Sequence, residues 1–151
     1  MQRNILEYLE QTVTRLPDKI AYSTGEEHLT FGELSRAAKA VGSFLLARGL
    51  TREPVIIYME KHPKEVAAFF GAVYAGCFYV PVDAEMPRHR VELIFENLHP
   101  RAVICDAATE EAALSLAGKE KCFLFDEAAA APVDEAALAA VRAVQIDTDP
   151  I

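Results

Sequence analysis

Residues 54–59 read Pro-Val-Ile-Ile-Tyr-Met, an apolar run rich in β-branched side chains and without polar alternation. A strand buried on both faces has that pattern, and burial on both faces belongs to a parallel sheet clad by helices. Pro63 follows where a first helical turn tolerates proline, and Val66, Phe69, Phe70 and Val73 then recur at helical spacing up to Gly76. Tyr79 to Asp83 is a second strand, in which Pro81 predicts an edge position or a strand end. Pro87 opens a helix with Val91, Ile94, Phe95 and Leu98 on one face, and Ala102 to Asp106 is a third strand. A helix over Thr109 to Ala117, a fourth strand over Cys122 to Phe125 and a short helix capped by Asp134 complete the alternation. Ala128 to Ala131, before Pro132, read as a loop or weak helix, and the Ala-rich stretch 128–140 as a surface helix. Strands alternating with helices imply parallel pairing through right-handed crossovers. The expected fold is therefore α/β, a mostly parallel sheet flanked by helices.

Upstream, Ile5, Leu6, Leu9, Val13 and Leu16 form a helical stripe stopped by Pro17. Ala21 to Ser23 and His28 to Phe31 flank a Gly25 turn and read as a hairpin. Thr30 with Glu33 three residues on has the form of a capping box, and the helix it opens is closed by Gly49. The organisation is thus helix, hairpin and helix over 1–53, then alternating strand and helix over 54–146, in one domain.

The chain has 151 residues, 52% hydrophobic and 25% charged, which suits a folded domain with its own core. Its formal net charge is −8, and its Lys and Arg residues are scattered singly. Nucleic acid and anionic membrane surfaces are thereby poor partners. No apolar run approaches the length of a membrane span, and no signal peptide is visible, so a cytoplasmic location is expected. Cys77, Cys105 and Cys122 each lie in an apolar stretch, and none forms a C-x-x-C pair. They read as free thiols rather than a disulfide framework or a zinc site.

Residues that could carry chemistry are sparse. Gly71 and Gly76 have phosphate-loop spacing, but Cys77-Phe78 stands where such a loop needs Lys and Ser or Thr. His28, His62, His89 and His99 lack metal-ligand spacing, and Ser23, Ser35, Ser43 and Ser115 lack a nucleophile elbow. Asp83 and Asp106 end strands and could face a ligand crevice there, although a carboxylate at that place also serves by accepting backbone N–H groups of the next helix. No residue is assigned a catalytic, cofactor-binding or metal-binding role on these grounds.

Two segments resemble signatures of the AMP-forming adenylating enzymes. Leu29-Thr30-Phe31-Gly32-Glu33-Leu34 is similar to L-[TS]-Y-x-E-L, and Val73-Tyr74-Ala75-Gly76-Cys77-Phe78-Tyr79-Val80-Pro81-Val82-Asp83 to L-K-A-G-x-A-Y-V-P-[IL]-D. Pro17-Asp18-Lys19-Ile20-Ala21 resembles the usual lead-in to the hairpin, and Met86-Pro87-Arg88-His89-Arg90-Val91 resembles Y-P-x-E-R-[IL]. The departures are Tyr74 in place of Lys, Phe78 in place of a small residue, Ala84 in place of Pro and His89 in place of Glu. The Tyr79 to Asp83 form is closer to amino-acid adenylation domains and D-alanine–carrier-protein ligases than to long-chain acyl-CoA synthetases.

The resemblance implies a piece of the large N-terminal domain of such an enzyme, cut before the loop that wraps the ATP phosphates; Asp147 to Ile151 would lead into that loop's strand. A parent enzyme would use ATP and Mg²⁺ to form an acyl-adenylate and hand the acyl group to the phosphopantetheine thiol of a carrier protein. The piece alone would be inactive and hold no cofactor. Its partner would be the rest of the adenylation domain, and its exposed apolar surface predicts self-association. An acyl- or aryl-CoA ligase parent, or a stand-alone α/β binding module, stays open at this point.

Overall fold

A computed structural model describes the chain over residues 2–147. The element order is α1 (Ile5–Arg15), β1 (Ile20–Thr24), β2 (Glu27–Thr30), α2 (Phe31–Ala47), β3 (Pro54–Met59), α3 (Pro63–Tyr74), β4 (Phe78–Asp83), α4 (Arg88–Leu98), β5 (Ala102–Cys105), α5 (Glu110–Ala117), β6 (Cys122–Leu124), α6 (Phe125–Ala129) and α7 (Glu135–Asp147). β1 and β2 form an antiparallel hairpin, and the other four strands form a parallel sheet in the order β4-β3-β5-β6. This is the α/β architecture expected from the sequence. Of the expected lead-in over Asp147 to Ile151, Asp147 ends α7 and residues 148–151 lie outside the described residues.

β3 occupies the centre, and its apolar run explains why. Val55, Ile57 and Met59 point into one core with α2 and α3, whereas Ile56 and Tyr58 point into a second core with α4 and α5. Successive side chains of a strand face opposite sides, so only a strand with no polar residue can sit between two helical layers. β5 repeats the division, with Ala102 and Ile104 on one side and Val103 and Cys105 on the other.

Pro81 lies on the edge strand, as its lack of an N–H requires. Within β4 the Phe78 N–H donates to the Glu53 carbonyl on the β3 side, at 3.2 Å. Amide directions alternate along a strand, so Val80 and Val82 also aim at β3 while Tyr79, Pro81 and Asp83 face outward. The proline nitrogen therefore falls on the open side of the sheet, where its missing hydrogen breaks no ladder bond.

Helices α2 and α3 pack over β3 at short range. A Cβ on Gly71 would lie 2.5 Å from Val41 Cβ, and one on Gly42 would lie 2.7 Å from Tyr74 Cβ. Both glycines act by absence of a side chain. α7 lies over the same pair of helices. Leu138 is buried against them, the Asp134 N–H donates to Ser43 Oγ at 2.9 Å, and Gln145 Nε2 donates to the Val73 carbonyl at 3.1 Å.

Two readings of the C-terminal third need correction. The fourth strand ends at Leu124 rather than Phe125, because Phe125 opens α6 and its ring enters the first core. The Ala-rich stretch 128–140 is the end of α6 and the start of α7, separated by Pro132, and both helices bury residues. Alanine repeats concealed this, since Ala128 and Leu138 carry the burial and their neighbours carry no apolar stripe.

The free thiols sit in the sheet region as expected, with Cys77 and Cys105 buried and Cys122 half-buried. Burial pushes the Cys105 thiol up from an ordinary 9.0 to about 12, and Cys122 to about 11. Between those limits the unfolded chain releases thiol protons that the folded chain keeps, so stability is full below pH 9 and falls as pH rises toward 12. Chemical denaturation from pH 8 upward should show this loss, with a shallower slope in Cys105→Ala. At the helix contact, Gly71→Ala should lower stability by about 1–3 kcal/mol through overpacking, read as a lower urea midpoint with unchanged far-UV circular dichroism.

Candidate functional site

An open parallel sheet presents ligand crevices beyond the carboxyl ends of its strands. Here those ends send out three short loops, Glu60 to His62 after β3, Ala84 to Pro87 after β4 and Asp106 to Thr109 after β5. They enclose a cleft of about 460 Å³ lined by Glu60, Lys61, Asp83, Ala84, Glu85 and Ala108.

The structure gives both strand-end aspartates backbone partners. Asp106 Oδ1 accepts the N–H groups of Ala108 at 3.1 Å and Thr109 at 3.2 Å, and Oδ2 accepts the Glu60 N–H at 2.8 Å. One carboxylate thus ties the loop after β5 to the loop after β3. Thr109 adds a second tie, since its hydroxyl donates to the Tyr58 carbonyl. Asp83 Oδ1 accepts the Glu85 N–H at 2.9 Å, which closes the turn after β4 and leaves the next helix untouched; its Oδ2 lies 3.7 Å from Lys61 Nζ.

The electrostatic character of the cleft follows from this set. Glu65, in the first turn of α3, has its pKa raised, first by burial and then by the Asp83 carboxylate, while Lys61 pulls the other way. Carboxylates outnumber the single lysine at the cleft. A polyphosphate would meet net repulsion there, because anion sites need converging N–H donors or basic side chains. Among the described residues no group of three or more His, Cys, Asp or Glu is placed to hold a metal ion.

The histidines are dispersed. His62 caps α3, its Nδ1 accepting the Lys64 N–H at 3.1 Å, and its Nε2 meets Glu27 Oε2 of the hairpin. His28 is exposed on β2, His89 is exposed in α4, and His99 holds the left-handed end of that helix with φ 48°. Ser35 and Ser43 are buried within α2, and Ser43 receives the α7 bond above.

One polar cluster escaped the sequence reading. Tyr74 donates its hydroxyl hydrogen to Glu10 Oε1 at 3.0 Å, and Arg142 pairs with the same oxygen at 2.6 Å. Burial and then the Glu10 charge drive the Tyr74 pKa upward. The signal was present as tyrosine in place of the signature lysine, but Glu10 and Arg142 lie far off in sequence and gave it no visible partner.

The two signatures themselves serve local structure. Thr30 Oγ1 accepts the Glu33 N–H and Glu33 Oε1 accepts the Thr30 N–H, both at 3.1 Å, completing the capping box. Those bonds hold the Glu33 carboxyl below its ordinary range. The Gly32 N–H donates to the Pro17 carbonyl at 2.8 Å, and a Cβ there would lie 3.1 Å from that oxygen.

Residues 9–149 match the AMP-binding enzyme family. The chain belongs to that family. It is 36% identical over 113 residues to a D-alanine–D-alanyl carrier protein ligase of Listeria monocytogenes, a match covering 74% of this chain and 22% of the ligase. It is 30% identical over 128 residues to a linear gramicidin synthase of Brevibacillus parabrevis, covering 84% of this chain and 2% of the synthase. A solved nonribosomal peptide synthetase, FmoA3, bound to α-methyl-L-serine-AMP, superposes with a TM-score of 0.76 at 29% identity, over 85% of this chain and 15% of the synthetase. The same synthetase bound to AMPPNP gives a TM-score of 0.75. This AMP-binding family chain thus spans about a fifth of the ligase it matches.

No described helix is long and apolar enough to cross a membrane. At the cleft of the AMP-binding fold, Asp106→Ala should lower stability by about 1.5–3 kcal/mol, since a carboxylate holding three backbone donors is lost. Asp83→Ala, which releases one donor, should lower it less. Paired denaturant titrations check the order, and equal losses would contradict the inter-loop role of Asp106.

Proposed function

We propose that this chain is the amino-terminal part of an ATP-dependent ligase that activates an amino acid. The substrate carboxylate would attack the α-phosphorus of ATP and expel pyrophosphate, leaving an aminoacyl-adenylate. A carrier-protein phosphopantetheine thiol would then attack the acyl carbon, with AMP leaving and the thiol proton passing to solvent. The observation carrying this reading is the 36% identity to a D-alanine–D-alanyl carrier protein ligase over 113 residues. The aminoacyl-adenylate in the FmoA3 structure supports the amino-acid branch of the family.

The residues described above supply the frame and not the chemistry of this reaction. The acidic strand-end cleft does not suit the ATP phosphates. The Mg²⁺ that the family resemblance implies finds no ligand set among the described residues. Phosphate binding, metal binding and acyl transfer belong to the remainder of the proposed ligase. What this chain contributes is a rigid sheet whose loops are fixed by Asp106, Thr109 and His62.

ATP–pyrophosphate exchange across a panel of amino acids tests the reading. The ligase encoded by the whole gene should exchange in the presence of an amino acid, with D-alanine the first candidate, and this 151-residue chain alone should stay at background. Exchange driven only by aryl or fatty acids would refute the amino-acid assignment. Exchange by the isolated chain would refute its inactivity.

A further inference from the structure

Helix α7 meets the rest of the chain along one face, and that face is mostly polar. Glu135, Leu138, Arg142 and Gln145 follow one another at spacings of three, four and three residues, which aligns them on one side of the helix. Of the four, Leu138 alone is part of the first core. The others reach polar partners. Glu135 pairs with Lys39 of α2 at 3.5 Å. Gln145 accepts from Asn4 Nδ2 at 3.0 Å through Oε1, and its Nε2 holds the Val73 carbonyl. Arg142 turns two guanidinium nitrogens to Glu10 of α1, Nη2 to Oε1 at 2.6 Å and Nη1 to Oε2 at 3.4 Å. Its guanidinium also lies 5.9 Å from the centre of the Tyr74 ring. Because Glu10 Oε1 accepts the Tyr74 hydroxyl as well, α1, α3 and α7 meet at one carboxylate. Tyr74 stands where the family signature has lysine, so this chain places a neutral donor there and leaves Arg142 as the cation paired with Glu10.

We infer that Glu10, Tyr74 and Arg142 form a latch holding α7 as a releasable strap, which opens as a unit while α1, α2, α3 and the sheet stay folded. A helix sealed by apolar side chains exposes them when it lifts, and so it opens only with the core. The polar groups of α7 exchange protein partners for water at small net cost each, and elements with few buried apolar contacts are the ones that open locally. Two further observations agree. Arg142 Nε is buried with no hydrogen-bond partner among the described residues, a donor that water would satisfy once the strap lifts. Along the other flank of α7 lies a cleft of about 580 Å³, lined by Val141, Val144, Thr51, Arg52 and Gly76, so the helix is not closely packed on that side. Helix α1, at the other end of the latch, is of the opposite kind, with Leu6 and Leu9 buried in the first core. When the latch parts, α1 therefore keeps its place and α7 leaves, baring the strip of α2 and α3 around Gly42, Ser43 and Tyr74.

Native-state hydrogen exchange of the 151-residue chain in increasing urea, read amide by amide by NMR, tests this. In the unaltered chain the amides from Leu138 to Gln145 should share one opening, more populated than that of β3 and β5 and with a shallower urea dependence. Arg142→Met, which keeps the side-chain length and removes the fork, should speed α7 exchange about tenfold, and Arg142→Lys should fall between. The effect of Tyr74→Phe on α7 should be smaller in the Arg142→Met background than alone, since the two residues share Glu10. A converse variant separates local from global opening. Ile56→Val, in the buried middle of β3, should speed the β3 and β5 amides several-fold and leave α7 exchange unchanged, because the open form keeps its sheet. Acceleration of α7 and β5 alike by Ile56→Val would show that α7 leaves only when the whole chain unfolds, and would overturn the strap. Protection graded residue by residue toward Asp147, the mark of simple fraying, would overturn it too. Unchanged α7 exchange in Arg142→Met would remove the latch.

Discussion

At Gly71 and Gly42 two helices touch, each glycine backbone lying against a side chain of the other helix, Val41 and Tyr74. A methyl group on either glycine would fall within 2.7 Å of a carbon on the opposite helix, well inside van der Waals contact. Most of the first core depends on this approach. It seats α2 and α3 together on Val55, Ile57 and Ile104, and it shapes the surface on which α7 lies. The hairpin depends on it as well, since Glu27 meets His62 at the start of α3. Close-packed interiors transmit small volume changes, so a spacing set by two missing side chains fixes the geometry of a whole layer.

The sequence made the frame legible where one residue type had one physical use. Val55, Ile56, Ile57 and Tyr58 could only suit a strand between two apolar layers, and Pro81 could only suit a place needing no donor. Thr30 and Glu33 carried their capping geometry within four residues. Legibility ended where partners were distant or side chains small. Nothing near Tyr74 in sequence announces Glu10 or Arg142, and alanines at 128–131 do not show which of them is buried. Phe125 looked like the last residue of an apolar strand, and only the packing of its ring against the first core turns it into the first residue of α6. At the candidate site, Asp83 and Asp106 were located correctly at strand ends. Their tasks were not separable, because the Glu60 N–H that distinguishes Asp106 comes from another crossover.

The segments by which this chain is assigned to its family are devices of folding. The capping box, the glycine against the Pro17 carbonyl and the proline on the sheet edge each meet a need of the backbone at their place. They mark membership of the AMP-binding family through its scaffold. The acidic strand-end cleft is of the same kind, with its loops held by their own carboxylates.

Pro81 has a bearing on how the molecule comes to be folded. Parallel sheets join strands that are distant along the chain, so they assemble slowly and leave open edges while they do so. An open edge with an unbroken row of donors can template a neighbouring chain. The β4 edge offers outward amides only at Tyr79 and Asp83, separated by a position that cannot donate. Intermolecular β-pairing is thus interrupted in the middle of the strand during the interval when the sheet is formed but not yet covered. The proline that sits without strain on this edge also breaks the row of donors through which partly folded chains could pair.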